Sequence, residues 1–385
     1  MITQKDLVLT DQEKGPDGPL HEYLNSRGII FDFIQEVDKV KMIDLILYKR
    51  QNQNQRIALV LSIDSILRLC NENKKLSNVD FFQKHNILLV HCERDTTYRL
   101  IKMPDKDYQI LKPLPITCFN EGIAGNFIKQ KYPNFTFLDL HHGHFNWPVY
   151  HGELAKKNTD RNKRFMAFFN AVGHHRRHRK MLYDTLEQNS LLYDSIVKVH
   201  TEHSVTTKPS VAYSSNSYPD LYFKNTRLQL QLPDLNTYGQ TNFEIVCESL
   251  GAEDNDDTFF LTEKTLKPIV MKHPFIILGP QNYLQTLKQL GFKTFGDFVD
   301  ESYDKCGNTQ QRIDLIAQQV KMLTLEQSNK FYNSTRQICQ HNLDNLYYLH
   351  GKYKSSYWNK LNTFFARPDT VYNNKFPESF DSQSL

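Results

Sequence analysis

The sequence predicts a mixed α/β protein with a helical C-terminal part. Three observations carry that prediction. Short unbroken apolar runs at residues 87–90, 165–169 and 275–278 suit strands buried on both faces of a parallel sheet. Segments with apolar residues at helical spacing follow such runs, as at 176–188 and 283–290. From residue 310 onward the pattern changes to long amphipathic stretches, 310–323 and 325–348, which read as helices.

Composition bounds what the chain can be. Its 385 residues are enough for two domains, each with a substantial core. Lys and Arg number 47 against 43 Asp and Glu, a formal net charge of +4, which is too mild to argue nucleic-acid binding. Hydrophobic residues make up 39% and aromatics 12%, so the composition is that of a globular and not a disordered chain. The six cysteines are scattered without a CxxC pair, which points to a reducing compartment and to neither a disulfide framework nor a zinc site. No apolar leader follows Met1, and no apolar run reaches the roughly 18 residues of a membrane span. A soluble cytoplasmic protein with no membrane partner is therefore expected.

In chain order, residues 1–27 are polar, carry a Gly/Pro turn cluster at 15–19, and receive no catalytic role. Strands are expected at 29–34, 43–48 and 57–61, then a short helix at 63–69. The apolar run at 87–90 ends in His91, Cys92, Glu93, Arg94 and Asp95. Ligands of open α/β sheets bind beyond the carboxyl ends of strands, which makes Glu93 and Asp95 the first carboxylates to consider for chemistry. Further strands are expected at 116–119 and 135–140, with a helix at 122–131 between them. His141, His142 and His144 crowd one loop, but no Asp, Glu or Cys partner lies at a recognisable spacing, so no metal site is expected.

The charged segment at 152–163 reads as a domain linker. A second α/β half then begins: strand 165–169, a turn, helix 176–188 and strand 193–200. Strand, tight turn and helix form a phosphate-facing unit. The turn here is basic, running from His174 through Arg176 and Arg179 to Lys180. By itself it reads as a solvated helix start; as a nucleic-acid phosphate patch it is short and lacks interleaved aromatics. Residues 201–240 read as loops with one strand at 228–232. A strand at 243–249 ends in Glu248 and Ser249, and an acidic loop follows at 251–257.

Chemistry is densest between Phe259 and Gly279. Thr262 is a good helix N-cap, with Leu266, Ile269 and Val270 behind it at helical spacing. Pro268 kinks that helix or keeps it short. Glu263 and Lys264 fall in its first turn, where unbonded N–H groups gather and attract phosphate. A lysine adds to that attraction, and a carboxylate there can accept hydrogen bonds from ribose hydroxyls. The bland reading of the same residues is a surface helix with a capping Thr and solvated charges. Gly291 is placed to end the helix at 283–290.

This stretch resembles the nucleotide-sugar motif of alpha-1,3-fucosyltransferase-like enzymes, an aromatic-Val-Thr-Glu-Lys element. It is still more similar to a group of glycosyltransferase-like proteins from phages, large DNA viruses and bacteria. Those carry Phe-Leu-Thr-Glu-Lys-Thr-x-Lys-Pro-Ile, Pro-Phe-Ile-x-x-Gly, Leu-Gly-Phe-Lys-Thr-Phe and Asp-Glu-Ser-Tyr-Asp. The four elements stand here at 260–269, 274–279, 290–295 and 300–304, and the likeness covers residues 160–305. The aromatic is Phe260 where the fucosyltransferases have Tyr, so stacking is kept and a phenol hydrogen bond is lost.

The resemblance implies two Rossmann-like domains of GT-B type with a helical C-terminus. An acceptor-side domain would cover 1–155, a nucleotide-sugar donor domain 160–345, and a tail over 346–385 would pack back toward the first domain. It implies a metal-independent, inverting glycosyltransferase acting on an acceptor hydroxyl, with a GDP- or UDP-linked sugar as co-substrate and no other cofactor. A glycan, a protein or a modified DNA base stays open as the acceptor. Donor binding falls to Asn170, Arg176, Arg179, Glu248, Phe260, Thr262, Glu263, Lys264 and Lys267. Arg179 and Lys264 would meet the pyrophosphate, and Glu263 the ribose. Glu93, with Asp95 behind it, is expected to deprotonate the acceptor. The competing reading is a non-catalytic nucleic-acid or protein-binding module on the same fold, with residues 174–180 as its contact surface.

Overall fold

A computed structural model of the chain describes residues 7–10, 31–33, 57–72, 87–92, 100, 103–120, 126–139, 160–169, 176–200, 205–208, 235–249, 259 and 261–366. The protein is mixed α/β, and its described residues form two sheets with helices between their strands. It divides into two compact units, residues 1–143 with 351–385 and residues 144–350.

The described residues of the first unit hold six parallel strands: β1 (Leu7–Thr10), β2 (Phe31–Phe33), β3 (Ile57–Val60), β4 (Ile87–Cys92), β5 (Ile116–Asn120) and β6 (Thr136–Asp139). Their order is β2-β1-β3-β4-β5-β6. The helices α1 (Ile63–Glu72), α2 (Asp105–Leu111) and α3 (Asn126–Lys131) lie in the crossovers that parallel pairing requires. Its core gathers Leu59, Ile63, Ile66, Leu111, Ile116, Ile128 and Tyr132. The Tyr132 hydroxyl donates to the carbonyl of Leu100 at 3.1 Å, which satisfies the polar tip of a buried ring.

Two of these elements depart from the sequence expectation. β1 falls in the lead segment read as polar, because its apolar run, Leu7 to Leu9, is too short to carry a period. Pairing on both sides, to β2 and β3, selects it as a strand. α2 was not expected, since Asp105, Lys106 and Asp107 make its first turn polar. The strands expected at 43–48 and 228–232 lie outside the described residues.

In the second unit, β7 (Lys163–Phe169) leads to α4 (Arg177–Gln188), β8 (Ile196–His200) and β9 (Val205–Lys208). Then come α5 (Leu235–Gln240), β10 (Thr241–Cys247), α6 (Glu263–Val270), β11 (Phe275–Leu278) and α7 (Tyr283–Gln289). A 3-10 turn at Ser302–Lys305 precedes α8 (Thr309–Met322), α9 (Leu325–Ser334) and α10 (Arg336–Ala366), whose residues from 351 onward are counted with the first unit. The sheet order is β11-β10-β7-β8-β9, parallel except for β9 against β8.

Every residue of β10 is buried, as a central strand covered on both faces demands. Phe243 on β10 pairs with Phe165 on β7, their rings 5.4 Å apart, and its other neighbour is Phe331 of α9 at 5.9 Å. After β7 the chain moves to β8 on one side, and β10 later returns on the other. The topological switch point of this sheet therefore lies between β7 and β10, where α/β sheets open a crevice for ligands.

Here too the expectations needed adjustment. The strand expected at 193–200 begins only at Ile196, because Asp194 takes a left-handed turn at φ 50°. The single helix expected over 325–348 is two helices broken at Thr335, whose hydroxyl donates to the Phe331 carbonyl at 2.8 Å. Gly291 does end α7, at φ 84°. A Cβ there would stand 2.9 Å from Asn345 Oδ1, and Asn345 Nδ2 donates to the Leu290 carbonyl at 2.9 Å.

Candidate functional site at the carboxyl edge of the second sheet

β7, β10 and β11 are parallel neighbours, so the helices that follow them start at the same edge of the sheet. α4 follows β7, α6 follows β10 and α7 follows β11. Glu248, the first residue beyond β10, sits where the three meet and is 0% exposed. Its Oε2 accepts from Thr262 Oγ1 at 2.7 Å and from the Ser249 N–H at 3.0 Å. Its Oε1 accepts from Thr265 Oγ1 at 2.5 Å, the Tyr283 hydroxyl at 3.1 Å and the Thr262 N–H at 3.4 Å. A buried carboxylate is strongly unfavourable unless its lone pairs are met, and here five donors meet them. The backbone carbonyl of Glu248 accepts from Arg179 Nη2 at 3.2 Å and lies 3.0 Å from His178 Nε2.

Thr262 caps α6 as its sequence position predicts. It is extended, at φ −110° and ψ 174°, and its Oγ1 accepts from the Lys264 N–H at 3.2 Å. The Lys264 ammonium donates to Glu263 Oε1 at 2.8 Å, Ser249 Oγ at 3.2 Å and Thr262 Oγ1 at 3.4 Å. Side-chain exposure is 20% for Lys264 and 31% for Glu263, against 0% for Arg179 and Glu248. Lys264 and Glu263 are thus charges that a solute can reach, and Arg179 and Glu248 lie behind them.

Electrostatics follow from this layering. Burial works against a charged Glu263, but Lys264 and Lys267 outweigh it and hold the carboxyl down at about 2. Burial lowers the basicity of Lys267, with Glu263 and Glu244 opposing. Burial also lowers that of Arg179, and Arg176 lowers it further, while Cys247, Glu248 and Glu263 act the other way. The Cys247 thiol beside them is pushed up to about 12 by burial first, which disfavours its thiolate.

The start of α4 has the opposite character to an ordinary helix start. Arg176 at the cap is followed by Arg177, His178, Arg179 and Lys180, with no acidic residue in the first turn. Cations at a helix N-terminus oppose the macrodipole, and a bound anion would relieve both. His178 and Arg179 turn inward onto Glu248, while Arg177 and Lys180 are exposed and Lys180 pairs with Asp184 at 2.5 Å.

Of the residues singled out in the sequence, Arg179, Glu248, Thr262, Glu263 and Lys264 come together here, joined by the contacts above. Lys267, one turn along α6, acts electrostatically on Glu263, and Arg176 on Arg179. Asn170, Phe260, Glu93 and Asp95 lie outside the described residues, as do His141, His142 and His144. Three participants were not foreseen: Ser249, Thr265 and Tyr283. Ser249 and Thr265 carried a signal, as hydroxyls beside named residues. Tyr283 carried none, standing 35 positions from Glu248. Among the described residues no group of three His, Cys, Asp or Glu gathers to hold a metal, and no helix is long and apolar enough to cross a membrane.

No family model matches the chain, and no curated protein matches it. Solved structures similar to it at low identity include the following two. "T4 phage BGT in complex with UDP and Mn2+" is 12% identical, with a TM-score of 0.40 over 93% of this chain and 98% of that one. A glycosyltransferase from Rickettsia africae ESF-5 is 9% identical, with a TM-score of 0.32 over 91% of this chain and 90% of that one. At such scores the likeness carries no chemical information about this chain.

Proposed function

We propose that the protein is a glycosyltransferase that moves a sugar from a nucleoside-diphosphate donor to an acceptor hydroxyl. One observation carries the reading. The all-basic first turn of α4 and the Thr262-capped start of α6 meet on Glu248 at the β7/β10 switch point. Two helix N-termini with cations on both call for a doubly charged, extended anion such as a pyrophosphate. The sequence motif that resembles a nucleotide-sugar site falls on this same place.

In the reaction, the acceptor oxygen bonds to the anomeric carbon as the bond from that carbon to the diphosphate oxygen breaks. The acceptor proton passes to a carboxylate, for which Glu93 is the candidate and Asp95 its reserve. The nucleoside diphosphate leaves as an anion. Lys264, with Arg179 and Lys267 behind it, stabilises the charge that builds on the leaving group, in the place a metal ion would otherwise take. Glu263, already ionised, accepts from the ribose hydroxyls, and Phe260 offers a stacking face. Asn170 and Arg176 are the further residues assigned to donor binding. In this reading donor binding falls to residues 160–345 and acceptor binding to residues 1–155. The donor is GDP- or UDP-linked, and the acceptor is a glycan, a protein or a modified base.

The test is thermal shift of wild type and Lys264→Ala against UDP, GDP and their sugar conjugates, followed by transfer assays with the nucleotide that binds. A ligand that binds only the folded state raises its melting temperature. Stabilisation of wild type that Lys264→Ala loses is the expected result. If no nucleotide shifts wild type, the donor reading fails and a binding module on the same fold takes its place.

A further inference from the structure

We propose that Glu248 is a positioning residue: it makes no contact with the ligand, and it holds Lys264 and Arg179 in the pose that meets the phosphates. The inference rests on the nucleoside-diphosphate reading above.

Glu248 has no capacity left for a ligand. An ionised carboxylate offers about four lone-pair sites, and five donors from the protein already occupy them. It is also 0% exposed. Its influence is outward, through its partners. The Thr262 hydroxyl has one proton, and that proton goes to Glu248 Oε2 at 2.7 Å. The Thr262 oxygen therefore presents only lone pairs to α6, where it receives the Lys264 N–H at 3.2 Å and the Lys264 ammonium at 3.4 Å. Ser249 is fixed by its own N–H to Glu248 Oε2, and its hydroxyl is a second anchor of the ammonium, at 3.2 Å. The Glu248 carbonyl meanwhile holds Arg179 Nη2.

The arrangement also explains why an anion and not an amide stands there. Each carboxylate oxygen faces a backbone N–H that cannot reverse: Ser249 N–H on Oε2 and Thr262 N–H on Oε1. A glutamine in this place sets its NH2 group against one of those N–H groups whichever way it is turned. The Thr262 hydroxyl then loses its fixed polarity, and Lys264 loses one of its three anchors.

The experiment measures the affinity of UDP and GDP, with uridine and guanosine as controls, by calorimetry. The proteins are wild type, Glu248→Gln, Lys264→Ala and the double variant, each checked for folding by circular dichroism. Glu248→Gln is expected to weaken the diphosphate about tenfold while leaving the parent nucleoside within about twofold. On the Lys264→Ala background the same change is expected to weaken the diphosphate by much less, about twofold, because the two residues act as one unit. A merely structural Glu248 would lower the melting temperature without this dependence on phosphate or on Lys264. If Glu248→Gln does not fold, Thr262→Val, which removes the link and spares the carboxylate, takes its place with the same expectation. Wild-type binding that neither variant weakens, or losses that add in full, overturns the inference alone. Absence of any diphosphate binding by wild type overturns the functional reading, and the inference with it.

Discussion

The two edges of the second sheet both bury cations, and they use them in opposite ways. At the amino edge, Arg164 near the start of β7 donates to the carbonyls of Leu323 at 2.8 Å, Val320 and Leu191, and lies over the Tyr193 ring at 4.8 Å. Arg161 just before it donates to the carbonyls of Tyr238 and Thr241 and stacks 3.7 Å over Tyr332. Val320 is in the last turn of α8, so Arg164 meets the negative end of a helix. At the carboxyl edge, Arg179 and Lys264 stand beside helix starts, where the backbone already presents positive charge. A cation set against carbonyls is complete and structural. At the carboxyl edge the proposed function adds an anion from outside to contacts already made, Lys264 with Glu263, Ser249 and Thr262, and Arg179 with the Glu248 carbonyl.

That contrast breaks most visibly at Arg164. Arg164→Leu strips a buried donor from three carbonyls, and urea unfolding should show a loss of about 3 kcal/mol. The folded fraction should still bind UDP or GDP within about twofold of wild type. A large fall in nucleotide affinity would mean that the amino edge is not purely structural. Lys264→Ala should give the mirror image: affinity down about tenfold or more by calorimetry, with stability changed by less than about 1 kcal/mol. An unchanged affinity would remove the distinction between the edges.

Arg161→Lys sharpens the comparison by keeping the charge and losing the planar fork. It should reduce stability by about 1 kcal/mol in the same unfolding assay, through the lost stack on Tyr332. A neutral result would show that charge alone suffices there.

The smallest effects separate two carboxylates of the carboxyl-edge unit. Glu263 is held below its ordinary value of 4.5, at about 2, so its contribution is present above 4.5 and is lost as pH falls toward 2. Solvent reaches this pair and trims the effect. The stability gap between wild type and Glu263→Gln should therefore narrow on acidification across that window. Glu244, buried on β10, is shifted upward by burial, with its hydrogen bond from Tyr238 and with Lys267 opposing. Its sign is reversed: its contribution is fully present below the ordinary carboxylate range and is lost as pH rises through the raised value. Glu244→Gln should flatten that decline in a pH series of melting curves, and an unaltered slope would show that Glu244 ionises as an ordinary carboxylate.

Much of the second unit was legible because its signals are local. Apolar runs marked β7, β10 and β11 within two residues of their bounds, and Thr262 declared its cap through residue type alone. β1 and α2 were hidden because a three-residue apolar run and a polar first turn hold no period. At the site, Lys264 and Glu263 were readable from their place in a first turn. Glu248 was readable as a residue at the end of a strand, but its saturation by five donors was not.

The sequence by itself determined the alternation of strands and helices, the capped start of α6 and the basic start of α4. Each depends on residues a few positions apart, and the backbone answers them directly. Tertiary structure alone decided that the two starts converge, that Arg179 turns inward, and that Tyr283 shares a carboxylate with Thr262 and Thr265. Those contacts span 69, 35, 14 and 17 positions. They exist because parallel pairing of β7, β10 and β11 brings three strand ends to one edge, an alignment set by burial of whole faces and not by any local pattern.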